Sequence, residues 1–247
     1  MGPAMAAPSV SVGATALNST TPRITVRHVG QEREPVVVID DATGLLGPLR
    51  GVAARAGFAP AATVDSHYPG LLAPAPVAYL DGLVRFALPL IAAHFGTGPV
   101  VPARARGNFS LVTTPPAELS PDQRVPHVDA ADRMQFAGVH YLSDHPAGTG
   151  FFRHRATGYE TIDADRLAVY RRHLDAELAV PGQGGYVTGD HDHFIAIDAV
   201  EARPDRLILY RAALLHSGLI DALPPHAEDP SRGRLTGNLF LQCRTAA

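Results

Sequence analysis

The sharpest chemical pattern in the sequence is His127-Val-Asp129, an imidazole and a carboxylate separated by one residue. On an extended segment, side chains two residues apart project to the same face, so the two groups can converge on one metal ion. Taken alone the spacing is weak evidence, because a solvated pair after Pro126 would produce the same pattern. A third ligand must therefore be sought elsewhere in the chain.

His216 is the best candidate for that ligand. The apolar segment Arg206-Leu-Ile-Leu-Tyr predicts a buried strand that leads into Leu-Leu-His216-Ser-Gly. A histidine at the end of such a strand is usually a satisfied core residue. The polar pattern of the strand predicted next in the chain favours a functional role instead.

Arg234, Thr236 and Asn238 share one face of that next predicted strand, and leucines occupy the other face. An arginine on the polar inner face of a strand needs an anion. Its planar guanidinium suits a carboxylate, which it can bind through two parallel hydrogen bonds. The two histidines, the aspartate and the arginine thus predict a metal centre beside an anion site.

A rival metal-binding pattern is Asp190-His191-Asp192-His193, which has suitable ligand atoms at tighter spacing. It comes after a glycine-rich stretch and precedes a predicted strand, which favours a polar loop at the mouth of a barrel. In that position His191 and His193 would line the substrate entrance. Both interpretations of this loop stay open from the sequence.

Composition excludes several classes of protein. The 247 residues include 21 Lys+Arg and 24 Asp+Glu, for a formal net charge of −3, so a polyanion-binding surface and a nucleic-acid partner are not expected. The single cysteine, Cys243, excludes an internal disulfide, and a thiolate metal site would need several cysteines. These features suit a cytoplasmic protein.

Neither the first residues nor the longest apolar segment carries a targeting or membrane-spanning pattern. Residues 1–22 lack the basic and apolar regions of a secretory signal, so we expect a disordered leader, followed by a single domain over residues 23–247. Residues 77–95 are apolar but interrupted by Asp81 and Arg85. We therefore expect no membrane span and no membrane partner.

The elements that must position these side chains are mainly short strands. Before residue 107 we predict strands over 23–29 and 35–39, helices over 45–58 and 79–95, and a proline-rich structured loop over 59–76. After it come β-like runs at 108–113, 135–143, 150–155, 193–201, 206–215 and 235–243, with one helix over 163–178. This pattern predicts an α+β, mainly β fold, a barrel or jelly roll with flanking helices.

The order of the candidate residues resembles the Fe(II)/2-oxoglutarate-dependent oxygenase superfamily, in its prolyl-hydroxylase-like branch. That order is His127-x-Asp129, then His216, then Arg234 with Thr236 two residues further on. The segments His140-Tyr-Leu-Ser-Asp and Gly148-Thr-Gly-Phe-Phe look like the strands between the metal ligands in that branch.

A narrower resemblance is to a bacterial family of uncharacterised iron oxygenases. Its members combine an early strand ending in Asp-Asp, a Tyr-Pro-Gly, a Pro-His-x-Asp and a late Arg-Leu-Thr, all present here in that order. The resemblance covers residues 35–242. Each motif is loose, but their joint order is specific.

The resemblance implies a cupin-like double-stranded β-helix with Fe(II), 2-oxoglutarate as cosubstrate and O2. The implied iron ligands are His127, Asp129 and His216, the facial triad typical of non-haem iron oxygenases. The implied 2-oxoglutarate contacts are Arg234, assisted by Thr236 and Tyr141. Asn108 and Ser110 share a strand face and are further candidate contacts to 2-oxoglutarate or substrate, with structural hydrogen bonding as the alternative.

The assignment of Tyr141 depends on which way its strand faces. Tyr141 and His140 project to opposite sides, so the assignment fails if His140 is the inward residue. The insertion over residues 223–233, with three prolines, predicts a lid.

The predicted function is a dioxygenase that hydroxylates a small metabolite, such as an amino acid or a natural-product intermediate, with release of succinate and CO2. Because Asp129 fills the carboxylate position of the triad, a halide has no vacant site, so hydroxylation is favoured over halogenation. The alternative is a metal-binding cupin-like module that senses or isomerises a small ligand without dioxygen chemistry. Arg234 separates the two hypotheses, while the substrate, the outcome of oxidation and the oligomeric state stay open.

Overall fold

The computed structural model describes residues 21–180, 182 and 184–246. The expected leader therefore lies almost entirely outside the described residues. The strands are β1 (Arg23–Val29), β2 (Glu34–Asp40), β3 (Ala59–Pro60), β4 (Gly70–Pro74), β5 (Val100–Val112), β6 (Gln135–Tyr141), β7 (Thr149–His154), β8 (Phe194–Val200), β9 (Arg206–Arg211), β10 (His216–Gly218) and β11 (Leu235–Thr245). The α-helices are α1 (Leu46–Ala53), α2 (Val77–His94) and α3 (Ala164–Leu178).

These strands form two antiparallel sheets. The large sheet has the order β1-β2-β9-β6-β11-β5-β4-β3, and the small sheet has the order β10-β7-β8. The mainly β class with a few helices is confirmed. Most neighbouring strands are distant in sequence, so the sheet brings together residues that no local pattern connects.

The main apolar core lies between α2 and one face of the large sheet. Leu235, Leu239 and Leu241 of β11 are buried there with Leu83 and Ile91 of α2. Strand side chains alternate between the two faces, so the polar residues of β11 must project to the other side. The sequence pattern of this strand therefore fixes which face of the sheet holds the candidate site.

The opposite face of the large sheet carries three rows of side chains in register. The rows are Arg106–Phe240–Ala137–Tyr210, Asn108–Asn238–Val139–Ile208 and Ser110–Thr236–Tyr141–Arg206. Together with residues of β10 and β7, members of these rows line a cavity between the two sheets.

Residues 59–76, predicted to be a loop, contain β3 and β4, and this prediction was wrong in part. β4 pairs with β5 along its whole length. The prolines of these two strands do not prevent pairing. Pro60 belongs to β3, which is an edge strand, and Pro74 is the last residue of β4. The strand predicted over 206–215 ends at Arg211, and the helix predicted over 45–58 ends at Ala53.

Helix α2 is the one described helix that is long and apolar enough to cross a membrane by length and composition, with a mean hydropathy of 1.3 over 18 residues. The core helix of a globular protein can meet the same criteria. In this fold the helix packs along β5, and Leu83, Ala87 and Ile91 form its buried stripe.

Candidate metal centre

The segment that carries His127 and Asp129 is held against β10 by the backbone. The N–H of His127 donates to the carbonyl of His216, and the N–H of His216 donates back to the carbonyl of His127, both at 2.9 Å. The N–H of Asp129 donates to the carbonyl of Ala212 at 2.9 Å. This pairing places the two histidines side by side although 88 residues separate them in the chain.

Ligand atoms of His127, Asp129 and His216 all lie within 4.8 Å of one another, which is close enough for one ion to bind all three. His127 Nε2 is 3.8 Å from Asp129 Oδ1, and His216 Nε2 is 3.5 Å from Asp129 Oδ2. Two imidazoles and a carboxylate of this kind form the triad that binds Fe(II) in non-haem oxygenases. The group could therefore hold a metal.

A hydrogen bond fixes the tautomer of His216. Its Nδ1 lies 2.8 Å from the carbonyl oxygen of Leu214. A carbonyl oxygen only accepts, so Nδ1 carries the proton and the lone pair of Nε2 faces Asp129. Such a second partner orients most metal-binding histidines.

The electrostatic environment keeps both imidazoles neutral near pH 7. Burial lowers the pKa of His216 to about 4 and, with the neighbouring His216, lowers the pKa of His127 to about 4. The His127 side chain is nevertheless 52% exposed, because it faces the open space of the cavity. Protein surrounds that cavity, so burial still acts on the ring. Burial raises the pKa of Asp129, whereas the charges of His127 and Arg106 lower it. A bound cation would act in the same direction as these charges and favour the carboxylate form.

The rival histidines lie elsewhere, around a glutamate of α3. His193 Nδ1 is 3.8 Å from Glu177, and His154, from β7, contacts the other carboxylate oxygen of Glu177 at 2.9 Å. Neither His191 nor His193 belongs to the cluster that could hold a metal among the described residues. Glu177 was missed by sequence reasoning, since nothing in the helical pattern links it to these rings.

Arg234 is buried and lies at one end of the cavity. Its guanidinium donates to the carbonyls of Ala147 and Gly148 at 2.8 and 3.2 Å, and it lies 5.7 Å from the ring of Tyr141. Within the described part of the chain, no carboxylate lies within 4 Å of it, although buried arginines are normally paired. Because its charge has no carboxylate partner there, this end of the cavity is a candidate anion site.

Tyr68, in the Tyr-Pro-Gly motif, is a further residue of this candidate anion site, and sequence reasoning did not single it out. Its hydroxyl is buried and makes no hydrogen bond to any described residue. Burial raises the pKa of the Tyr68 hydroxyl, and the nearby Arg234 and Ser110 side chains lower it. A buried hydroxyl without a hydrogen-bond partner, beside a guanidinium without a carboxylate partner among the described residues, suits a bound carboxylate.

The ambiguity between Tyr141 and His140 has a structural answer. Tyr141 lies on the cavity side of the sheet, where its hydroxyl meets Thr149 Oγ1 at 2.7 Å. His140 lies on the opposite side, between the hydroxyl of Tyr79 at 2.9 Å and Asp205 at 2.8 Å. Thr149 lines the cavity, so Tyr141 sits one contact behind the cavity wall.

The cavity that contains these groups has a volume of about 710 Å³. The triad, Arg234 and Tyr68 all line it. Helix α3 and a short helical turn at Pro121–Arg124 also contribute to its wall. The His-Asp-His cluster and the candidate anion site therefore open into one space, whose volume is within the range of small-molecule sites.

A known protein family covers nearly the whole chain. Its profile, described as a family of unknown function (DUF6445), matches residues 20–241. The chain belongs to this family. Membership defines no activity, so the chemistry of this DUF6445 chain must be inferred from its own side chains.

Comparison with characterised proteins adds little. No curated protein matches the chain. Among solved structures, HygX from Streptomyces hygroscopicus, crystallised with nickel and 2-oxoglutarate, is similar over 84% of this chain and 82% of that chain, with 13% sequence identity and a TM-score of 0.43. A score this low does not establish a shared fold.

The two remaining candidate residues of this DUF6445 chain are Thr236 and Asn108. Thr236 is part of the cavity wall, and Asn108 lies behind it. The Oγ1 of Thr236 forms a hydrogen bond with Ser110 Oγ at 2.7 Å. Asn108 accepts a hydrogen bond from Asn238 at 3.0 Å, and Asn238, rather than Asn108, lines the cavity. Asn108 thus supports a neighbour that faces the cavity.

Proposed function

We propose that this protein is an Fe(II)/2-oxoglutarate-dependent dioxygenase that hydroxylates a small molecule. The observation that carries the proposal is the presence, in one cavity, of a His-Asp-His cluster and a buried arginine without a carboxylate partner among the described residues. A metal site alone would suit many proteins. The anion site beside it meets the requirement of a chelating dicarboxylate.

The two sheets are proposed to correspond to the two halves of a double-stranded β-helix. Arg234 immediately precedes β11 of the large sheet, and the small sheet supplies His216. Both line the cavity between the sheets, as the inner faces of a jelly roll do. A small-molecule substrate would enter this cavity, whose size suits a metabolite.

The donor set fits iron. Two neutral imidazoles and one carboxylate can occupy one face of an Fe(II) ion and leave the other positions open. His127 is half exposed toward the cavity, so the open positions would face the space where ligands enter.

The anion site fits the distal carboxylate of 2-oxoglutarate. A side-chain atom placed on Gly218 would lie 3.9 Å from the guanidinium carbon of Arg234, and Gly218 is two residues beyond His216 on β10. Two strand residues span about 6.8 Å, a distance that a five-carbon dicarboxylate can bridge. Arg234 and the hydroxyl of Tyr68 would then hold one end of the molecule while the other end reaches the triad.

The chain's own residues take distinct roles in this arrangement. The bound metal, with 2-oxoglutarate and O2, would supply the oxidising power for hydroxylation and release succinate and CO2. The carbonyl of Leu214 keeps the proton of His216 on Nδ1, so Nε2 stays available as a ligand. Arg234 orients the cosubstrate, and the buried wall around Tyr141 and Thr149 excludes water from that end of the cavity.

The experiment measures 2-oxoglutarate binding and turnover with the full chain. Anaerobic calorimetry on the Fe(II)-loaded protein should show 2-oxoglutarate binding, and the aerobic mixture should release succinate. Arg234→Ala should weaken that binding more than tenfold, since losing one partner of a buried charge pair costs about 2–5 kcal/mol. Tyr68→Phe should weaken it less, by the about 0.5–1.5 kcal/mol of one hydrogen bond, or more if the bond is charge-assisted.

Arg232→Ala is the matched control, because Arg232 is exposed and paired with Asp229 at 3.8 Å. It should bind 2-oxoglutarate like the parent. Metal binding without any 2-oxoglutarate binding would reject the oxygenase and favour the sensing or isomerising module. If Arg234→Ala and Arg232→Ala lose 2-oxoglutarate affinity equally, Arg234 has no specific role in binding the cosubstrate.

A further inference from the structure

Two arginines of the cavity wall, Arg106 and Arg171, are not used by the proposed cosubstrate site. Arg106 lies on β5 and lines the cavity. Six residues further along β5 is Val112, at the end of the strand that pairs with the start of β11, which Arg234 precedes. Six strand residues span about 20 Å, so Arg106 lies at the opposite end of the cavity from Arg234. One cosubstrate molecule cannot contact both residues.

The guanidinium of Arg106 is positioned by an aromatic ring. Its carbon lies 5.1 Å from the ring centroid of Phe240, the residue that pairs with Arg106 across the sheet. An arginine held over an aromatic face keeps its in-plane N–H donors free for a carboxylate.

Arg106 makes no salt bridge to any described residue, since none of their carboxylates lies within 4 Å of its guanidinium. Arg171, the third arginine of the cavity wall, differs in this respect, because it faces Asp122 at 4.0 Å. Asp129 is close enough to Arg106 to feel its charge, which places the guanidinium within electrostatic range of the candidate metal centre.

We propose that Arg106 binds a carboxylate group of the primary substrate and so selects for anionic substrates. This inference rests on the proposed function, because it assumes that Arg234 and the triad are taken by 2-oxoglutarate and metal. The substrate would lie along the row Arg106–Phe240–Ala137–Tyr210. Its apolar part would contact Phe240 and the small side chain of Ala137.

The row also sets a distance between the substrate carboxylate and the reacting carbon. Tyr210 packs on the ring of His216 with centroids 4.8 Å apart, and β11 lies two strands from β9. Two strand spacings amount to about 10 Å. With the carboxylate held above Phe240, the carbon nearest the triad is several bonds away, so oxidation is directed to a position remote from the carboxylate.

The test uses ligands in matched pairs of acid and primary amide. The probes are the straight-chain acids from butyrate to octanoate and the proteinogenic L-amino acids, each beside its amide. Binding to the full chain loaded with Zn(II) and 2-oxoglutarate is measured by ligand-detected NMR, because Zn(II) supports no turnover. We expect acids of suitable length to bind at least about tenfold more tightly than their amides.

Arg106→Gln should reduce that preference to near unity, while the protein still binds Zn(II) and 2-oxoglutarate. Arg104→Gln is the matched control. Arg104 lies on the same strand and is exposed, but it is not part of the cavity wall. This variant should keep the preference for acids.

Three results would overturn the inference while leaving the proposed function standing. They are equal binding of acids and amides, an unchanged preference in Arg106→Gln, and no acid binding at all by a protein that binds Zn(II) and 2-oxoglutarate. If Arg106→Gln weakens Zn(II) binding as much as acid binding, Arg106 acts on Asp129 and not on substrate. A protein that binds neither metal nor 2-oxoglutarate fails the proposed function itself, and the inference falls with it.

Discussion

At the scale of single residues, the candidate ligands can be compared with other histidines of the same chain. His127→Ala and His216→Ala should each abolish tight Fe(II) binding, because each removes one of three protein ligands. Asp129→Ala should retain weak binding. His191→Ala and His193→Ala should bind Fe(II) like the parent, because His193 faces Glu177 and neither ring belongs to the cluster.

Anaerobic calorimetric titration with Fe(II) measures the metal affinity of each variant. Circular dichroism on each variant checks that the fold is retained. Loss of Fe(II) binding in His191→Ala, together with normal binding in His127→Ala, would move the metal centre to the loop.

At the scale of elements, the turn between β1 and β2 depends on a glycine. Gly30 has φ of +64°, and a Cβ there would fall on the carboxylate of Glu160. That carboxylate cannot move freely, since it accepts hydrogen bonds from the backbone of Gln31 and Glu32 and from Arg153.

We predict that Gly30→Ala destabilises the protein by about 2–4 kcal/mol, because positive φ and steric overlap act together. Gly158→Ala is the control, since Gly158 has φ of +72° but open space around it. It should cost only about 1 kcal/mol. Urea unfolding of both variants measures the difference, and equal costs would mean that Glu160 moves aside.

Asp205 connects the start of β9 with the segment before α1. Its carboxylate accepts hydrogen bonds from the N–H and hydroxyl of Thr43, from the N–H of Gly44 and from His140. Burial opposes ionisation of this carboxyl, but these hydrogen bonds outweigh burial and lower its pKa. The ionised carboxylate of Asp205 therefore stabilises the folded state at every pH at which it carries its charge.

Asp205→Asn should reduce the free energy of unfolding by about 2–3 kcal/mol at pH 7. A lowered folded-state pKa means that the contribution is complete above the unfolded value of about 3.9 and is lost as the pH falls through the folded value. The gap between parent and variant should thus narrow below about pH 4. Asp229→Asn, at an exposed position, should change little. A difference between parent and Asp205→Asn that widens in acid would mean that folding raises the pKa of Asp205 instead of lowering it.

At the scale of the whole molecule, sequence patterns predicted what repeats locally and missed what depends on distant pairing. The alternation of β11 correctly separated Leu235 and Leu239 from Arg234, because side-chain direction on a strand is set by sequence alone. β4 was missed because its pairing with β5 outweighs its unfavourable composition. Tyr68 gained significance only when folding placed its hydroxyl beside Arg234.

The position of Arg106 obeys the same rule. Nothing in residues 100–112 distinguishes Arg104 from Arg106, since both lie on one strand with exposed side chains. Only the register of β5 against β11 places Arg106 over Phe240 and inside the cavity wall. Register between strands more than a hundred residues apart has no signature in the local sequence.

The reciprocal backbone hydrogen bonds between His127 and His216 have a consequence for local opening of the fold. Separation of these two segments would break both backbone hydrogen bonds. With a metal bound, it would also require release of the ion from at least one of the two side chains. Metal binding should therefore slow amide hydrogen exchange at these two residues, by up to about a hundredfold at free Zn(II) of a hundred times its dissociation constant. The amides of β1, at the edge of the large sheet, should exchange at the same rate with and without Zn(II). Exchange measured by NMR or mass spectrometry would detect this, and uniform slowing across both regions would mean that exchange there requires global unfolding.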